Sequence, residues 1–165
     1  MRVTNDDGAG AEGFAALVVF AVDQGFDVLA AAPATDTSGS GTSRAVPAGG
    51  RIPLTSRPFP GVPGVEVHTL PSPPALIVSA ACLGVFGPPP AVVLAGINAG
   101  ANLGRVLHSG TVDATLTARR YGGSGIALSI DGTAHPHWTG AQPSWSSKNS
   151  CQWPCPETRT GSRSS

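Results

Sequence analysis

Charge is scarce in this sequence. Only 12% of residues are Asp, Glu, Lys or Arg, and ten basic side chains balance ten acidic ones, leaving zero net charge. A protein that grips a nucleic-acid polymer neutralises many phosphates with a basic face, and this balance excludes one. A free nucleotide is not excluded, because one phosphate can be held by a metal and a few backbone amides. Long apolar runs are also missing: none reaches the roughly 20 residues that span a bilayer, so no membrane partner is expected. The apolar stretch at 14–22 follows Asp6, Asp7 and Glu12 and is closed by Asp23, without the basic lead of a signal peptide. Cysteine is rare, and Cys82, Cys151 and Cys155 do not make a disulfide framework. The expectation is a soluble, cytoplasmic chain whose 165 residues hold one domain with a real core.

Glycine and proline, in contrast, are plentiful at 22 and 16 residues, so tight turns must separate short elements. Residues 2–4 read as a short strand. Phe14, Leu17, Val18, Ala21 and Val22 recur at helical spacing, with Gly25 placed as the stop. Residues 26–32 form an apolar run broken only by Asp27 and ended by Pro33, the pattern of a strand buried on both faces. Residues 34–64 show no period and read as one long loop. A strand at 65–70 leads into a helix opened by Pro73 and Pro74, where a first-turn proline loses no needed donor. Cys82 falls on the apolar face of that helix and is expected in the core. Residues 91–96 are the clearest buried strand; a helix at 111–121 and a strand at 125–130 follow. Strands alternating with helices predict an α/β fold: a Rossmann-like, doubly wound, mainly parallel sheet with helices on both faces. In such sheets ligands bind beyond the carboxyl ends of the strands, which directs attention to the loops after them.

Three of those loops are chemically unusual. Asn5-Asp6-Asp7-Gly8 sets two carboxylates side by side, a repulsion that a cation would neutralise, although Asx residues followed by Gly are also ordinary turn chemistry. Gly8, Gly10 and Gly13 nearly match a dinucleotide-binding glycine spacing, but the preceding carboxylates would repel a pyrophosphate. The stretch 38–43 is a hydroxyl-rich loop, and by itself such a loop is usually just a solvated connection. The third loop begins at Gly96 and carries Asn98, Gly100, Asn102 and Gly104, with His108, Ser109, Gly110 and Thr111 beyond it. Glycines there let backbone approach a ligand, and a helix start at 109–111 turns free amides and the positive dipole end toward an anion. A plain glycine-rich crossover with a Ser or Thr cap would also explain it. His108 reads as a packing or capping residue.

In this order and combination the loops resemble the SurE family. There an NDDG motif follows the first strand, and a serine in an AP-x4-SG stretch, here Ala32-Pro33 through Ser38-Gly39, follows the second. A GIN-x-G-x-N-x-G motif at 96–104 and SGT at 109–111 complete the set. The likeness covers residues 1–133. It implies Asp6, Asp7, Ser38 and Asn98 as metal ligands, an all-oxygen set suited to one Mg2+ or Mn2+ ion. It also implies phosphate binding by Asn102, Ser109, Gly110 and Thr111, and a catalytic role for Asp6 on the attacking water. The implied activity is a 5'-nucleotidase: hydrolysis of phosphate monoesters, chiefly nucleoside 5'- and 3'-monophosphates. The implied assembly is a homo-oligomer.

Against that pattern the first strand lacks a few apolar residues before NDDG, and the segment before His108 is one residue short. After residue 133 none of the family's further strands or its exchanging arm is recognisable. The C-terminal part of the fold is therefore expected to be missing, with 134–165 a divergent, irregular tail produced by a shifted reading frame. All three tryptophans and the only lysine, Lys148, fall there. His135 and His137 read as exposed, and Cys151 and Cys155 as incidental. A homo-oligomer built on the exchanging arm would lack it. The alternative to a working nucleotidase is an inactive remnant that at most binds a divalent cation or a nucleotide.

Overall fold

A computed structural model describes residues 1–41, 43, 46, 49–104 and 106–130. The tail from 134, with His135, His137, Cys151 and Cys155, lies outside the described residues.

Among the described residues, six strands and three helices follow in the order β1 (Arg2–Thr4), α1 (Glu12–Asp23), β2 (Leu29–Pro33), β3 (Thr55–Pro58), β4 (Glu66–Leu70), α2 (Pro74–Cys82), β5 (Val92–Asn98), α3 (Gly110–Arg120) and β6 (Ser124–Ser129). A 3-10 turn, Val106–His108, precedes α3. The strands form one sheet in the order β3-β4-β2-β1-β5-β6. All pairings are parallel except that of β3 with β4.

Strand periodicity explains the layers. Successive side chains of a strand point to opposite faces, so a strand covered on both sides is apolar throughout. Ala30, Ala32 and Leu94 pack with Phe14, Leu17, Val18 and Ala21 of α1. Their neighbours Ala31, Val93 and Ala95 point the other way, to Ile77 and Val78 of α2 and to Ala114 and Ala118 of α3. The doubly wound sheet with helices on both faces is thus present as the alternation predicts.

Helix α1 ends as Gly25 foretells. Gly25 takes φ +78, its amide donates to Val22 O at 2.8 Å, and the Phe26 amide donates to Ala21 O at 3.1 Å. This is a Schellman termination, which needs a left-handed residue that glycine supplies without a Cβ penalty. It also corrects the start of the second strand. Phe26, read as strand, is taken by the helix cap, Asp27 and Val28 are irregular, and β2 begins only at Leu29. The long loop expected at 34–64 needs a second correction, because it contains β3. Every residue of β3 is exposed, so no buried face imprinted an alternation on its sequence. Cys82 is a third: it is half-buried at the margin of the α2–α3 layer, and burial pushes its thiol pKa up.

One buried residue is out of character. Arg2 on central β1 is only 1% exposed, its guanidinium carbon lies 4.7 Å from the Phe86 ring centroid, and Nε and Nη1 have no hydrogen-bond partner among the described residues. Burial lowers its pKa to about 10.

Candidate metal and phosphate site

Strands β1 and β5 are neighbours whose chains leave in opposite directions, β1 through α1 to β2 and β5 through α3 to β6. This reversal opens a crevice at the carboxyl ends of the two strands. The loops after β1, β2 and β5 and the start of α3 border it.

The loop after β1 is rigidly built. Asn5 is fully buried and its Nδ2 donates to Gly8 O at 2.8 Å, closing the turn over the two aspartates. Gly8 has φ +98, and a Cβ there would meet Thr35 C at 3.1 Å, so both conformation and space require glycine. The loop after β2 is fastened to it at several points. Asp6 O accepts from the Thr37 amide at 2.8 Å and from Thr37 Oγ1 at 3.1 Å, and the Ala9 amide donates to Pro33 O at 2.9 Å. The Ser38 amide donates to Asp36 Oδ1 at 2.7 Å, an Asx-type turn that sets Ser38 beside Asp7.

Asp7 bears the electrostatic tension of the site. Burial and then the adjacent Asp6 carboxylate raise its pKa, and Asp36 adds to this more weakly. Hydrogen bonding from the Ala99 amide and from Ser38 opposes the rise. Asp7 Oδ2 is buried and has no hydrogen-bond partner among the described residues. A buried carboxylate oxygen left unpaired next to a second carboxylate is what a bound cation would correct.

Asn98 closes β5, after a break in register between Ala95 and Asn98. Its Nδ2 donates to Gly100 O at 2.7 Å, which leaves its carbonyl oxygen as the donor for a cation. The strand can approach β6 here because of Gly96, with φ +132 and a would-be Cβ 2.4 Å from Leu128 O. On the other side, the first turn of α1 sits against β5: a Cβ on Gly13 would lie 2.1 Å from Ile97 O.

The start of α3 completes the crevice. Ser109 is the N-cap and accepts from the Val112 amide at 3.1 Å. Helix geometry leaves the Gly110 and Thr111 amides without intrahelical partners, near the positive end of the dipole. A Cβ on Gly110 would meet Asp6 Cβ at 2.9 Å and Asp6 Oδ2 at 3.0 Å. Only a bare backbone lets the helix start rest on the aspartate. The Thr111 hydroxyl donates to Asp6 Oδ1.

The structure thus brings Asp6 together with Ser109, Gly110 and Thr111, and sets Asp7 beside Ser38 and next to the end of β5. Asn102 stands apart: its Nδ2 donates to Ser129 Oγ at 2.7 Å, at the end of β6. His108 is exposed in the 3-10 turn, whose backbone lies 3.4–3.6 Å from where a Gly41 Cβ would be. Thr37 and Ser129 were not singled out by sequence reasoning. Thr37 occupies an unspecified position of the AP-x4-SG stretch, and Ser129 lies in a stretch read only as a strand.

The donor set fits a hard cation. Asp6, Asp7, Ser38 and Asn98 offer oxygen only, and among the described residues no group of three or more His, Cys, Asp or Glu is placed to hold a metal. Two carboxylates with neutral oxygens suit an ion that keeps several waters, as Mg2+ does.

The chain is similar to known proteins. A family model described as "Survival protein SurE" matches residues 1–153. The 5'-nucleotidase SurE of Syntrophobacter fumaroxidans is 36% identical over 134 residues, covering 79% of this chain and 52% of the relative. That of Aeromonas hydrophila subsp. hydrophila is 37% identical over 134 residues, 81% of this chain and 52% of the relative. The crystal structure of the SurE protein from Aquifex aeolicus superposes with a TM-score of 0.64 at 30% identity, covering 79% of this chain and 50% of that one. The chain spans about half the length of the curated relatives it matches.

Proposed function

The chain belongs to the SurE family, and from that membership we propose that it is a metal-dependent phosphatase converting nucleoside 5'- and 3'-monophosphates to nucleoside and phosphate. The observation that carries this is the pairing of Asp6 and Asp7 at the switch point, with Oδ2 of Asp7 buried and unpaired among the described residues and Asp6 resting against the N-terminus of α3. The relatives' name, 5'-nucleotidase, supplies the substrate class.

Asp6, Asp7, Ser38 and Asn98 would hold one Mg2+ or Mn2+ ion. When bound, such an ion polarises a phosphoryl oxygen and lowers the pKa of water. The chain's own residues do the rest. The Gly110 and Thr111 amides hold the equatorial phosphoryl oxygens through two N–H groups that cost no reorganisation as charge develops. Ser109 keeps these amides in place by capping the helix. Asp6, at the start of α3, is the carboxylate that orients the attacking water or takes its proton. Asn102, tethered to Ser129 at the end of β6, keeps a second Nδ2–H to donate to the substrate phosphate.

The test is phosphate release from a nucleoside monophosphate by the full chain with Mn2+, against an EDTA control. Release that depends on Mn2+ and falls to the EDTA background in Asp7→Asn is the expected result. Tight Mn2+ binding without release would identify instead a cation-binding remnant of the family, and no Mn2+ binding by a folded sample would overturn the metal site itself.

A further inference from the structure

Asp6 is held at three points. Its carbonyl oxygen accepts from the Thr37 amide and hydroxyl at 2.8 and 3.1 Å. Its Cβ lies against the bare backbone of Gly110, where an added Cβ would come within 2.9 Å. Its Oδ1 accepts a hydrogen bond from the hydroxyl of Thr111, a residue with 0% exposure that lies 105 positions away in sequence. Among the described residues, Oδ2 has no such hydrogen-bond tether.

The Thr111 hydroxyl is free for this because the first turn of α3 is already capped. Ser109 Oγ takes the Val112 amide, so Thr111 is not needed to satisfy the helix start. A fully buried hydroxyl committed to a carboxylate cannot also hold a phosphate. That separates the two halves of the residue: its amide faces the anion position, and its side chain faces the aspartate.

We propose that Thr111 is a positioning residue for the cation: by fixing Oδ1 of Asp6 it sets the plane of that carboxylate and leaves Oδ2 as the oxygen available to the ion. The inference rests on the metal reading of the site given above. The terminal torsion of an aspartate is broad and roughly two-fold, so a carboxylate without a second partner samples orientations that a bound ion must then select from. A hydrogen bond to the other oxygen removes that freedom beforehand. Groups that orient metal ligands in this way typically contribute about 10–100-fold in metal affinity.

Mn2+ binding to the full chain, followed by titration calorimetry without substrate, tests this in wild type and in Thr111→Val, Thr111→Ser and Thr111→Cys. Thr111→Val keeps the shape and removes the donor, and Mn2+ affinity is expected to fall by about 10–100-fold. Thr111→Ser restores the hydroxyl and is expected to stay within about threefold of wild type, a rescue that loss of packing alone would not give, since serine lacks the methyl. Thr111→Cys, a small side chain with a weak donor, serves if the valine variant does not fold, and is expected to lose about tenfold. Wild-type Mn2+ affinity in a folded valine or cysteine variant overturns the proposal, as does a serine variant as weak as valine. Failure of the wild-type chain itself to bind Mn2+ overturns the metal reading, and this inference with it.

Discussion

Asp7 holds a negative charge where burial and Asp6 both oppose it, and the pH dependence of the metal-free protein follows. The folded-state pKa lies above the unfolded one, so the folded state holds the proton more tightly. The contribution of Asp7 to stability is therefore complete below its ordinary value of 3.8 and is lost as pH rises through the elevated folded value. Above that range the ionised pair destabilises the apo protein, and a cation offsets the cost. Asp7→Asn is accordingly expected to raise the melting temperature of the EDTA-treated protein at neutral pH and to abolish the increase that Mn2+ gives the wild type. Thermal unfolding with and without Mn2+ reads both effects. An apo melting temperature that stays level across the ionisation of Asp7 would contradict the account. The nearly regular glycines of the same loop do separate jobs, none requiring a dinucleotide. Gly8 accommodates the crossing of residues 35–36, Gly13 the end of β5, and Gly10 has open space around it.

Those glycines matter most for how elements meet. Helix α1 approaches β5 so closely that a Cβ on Gly13 would lie 2.1 Å from Ile97 O, a backbone atom that cannot move without displacing Asn98 beside it. Gly13→Ala must push helix and strand apart and is expected to cost about 1–3 kcal/mol, the usual range for overpacking. It should also weaken Mn2+ binding, because Asn98 is the last residue of the displaced strand. Gly10→Ala is the control. With nothing within 4 Å and no left-handed conformation to satisfy, it is expected to change stability by no more than about 0.5 kcal/mol. Urea denaturation of the two variants compares them directly. If Gly13→Ala matches Gly10→Ala, the close helix–strand contact is not what positions Asn98. The antiparallel strand β3 shows the opposite limit: an element with no buried face constrains its sequence so little that nothing in residues 55–58 announces it.

Stability of the whole domain depends on β1, the strand joining the two sides of the sheet, and β1 has only three residues. One of them, Arg2, spends its side chain on a buried position between sheet and helical layer. Its stacking on Phe86 compensates only part of the lost hydration, since Nε and Nη1 go unpaired among the described residues. Arg2→Met keeps a long, flexible apolar side chain there and removes the charge. Replacing buried ionic groups by apolar ones of similar volume often stabilises by about 1–4 kcal/mol. The variant is expected to unfold at higher urea concentration than wild type with Mn2+ affinity unchanged, because Arg2 lies at the end of β1 away from Asp6. A lower midpoint would mean that the guanidinium is better satisfied than its contacts show.

The sequence by itself determined the layers. Apolar runs at β2 and β5 and the helical period of α1 specify a parallel sheet covered on both faces, because burial on two sides leaves no polar position. The oxygen-rich loops supply the residues of the proposed cation site, through their resemblance to the SurE family. Tertiary structure decided how the ligands are held. Thr37 on Asp6 O, Thr111 on Asp6 Oδ1 and Ser129 on Asn102 are side chains brought together across 27 to 105 positions of chain, and no local spacing encodes such distances. It also decided that Arg2 is buried, since a charged residue at a strand start reads as surface until the neighbouring strands and Phe86 close over it.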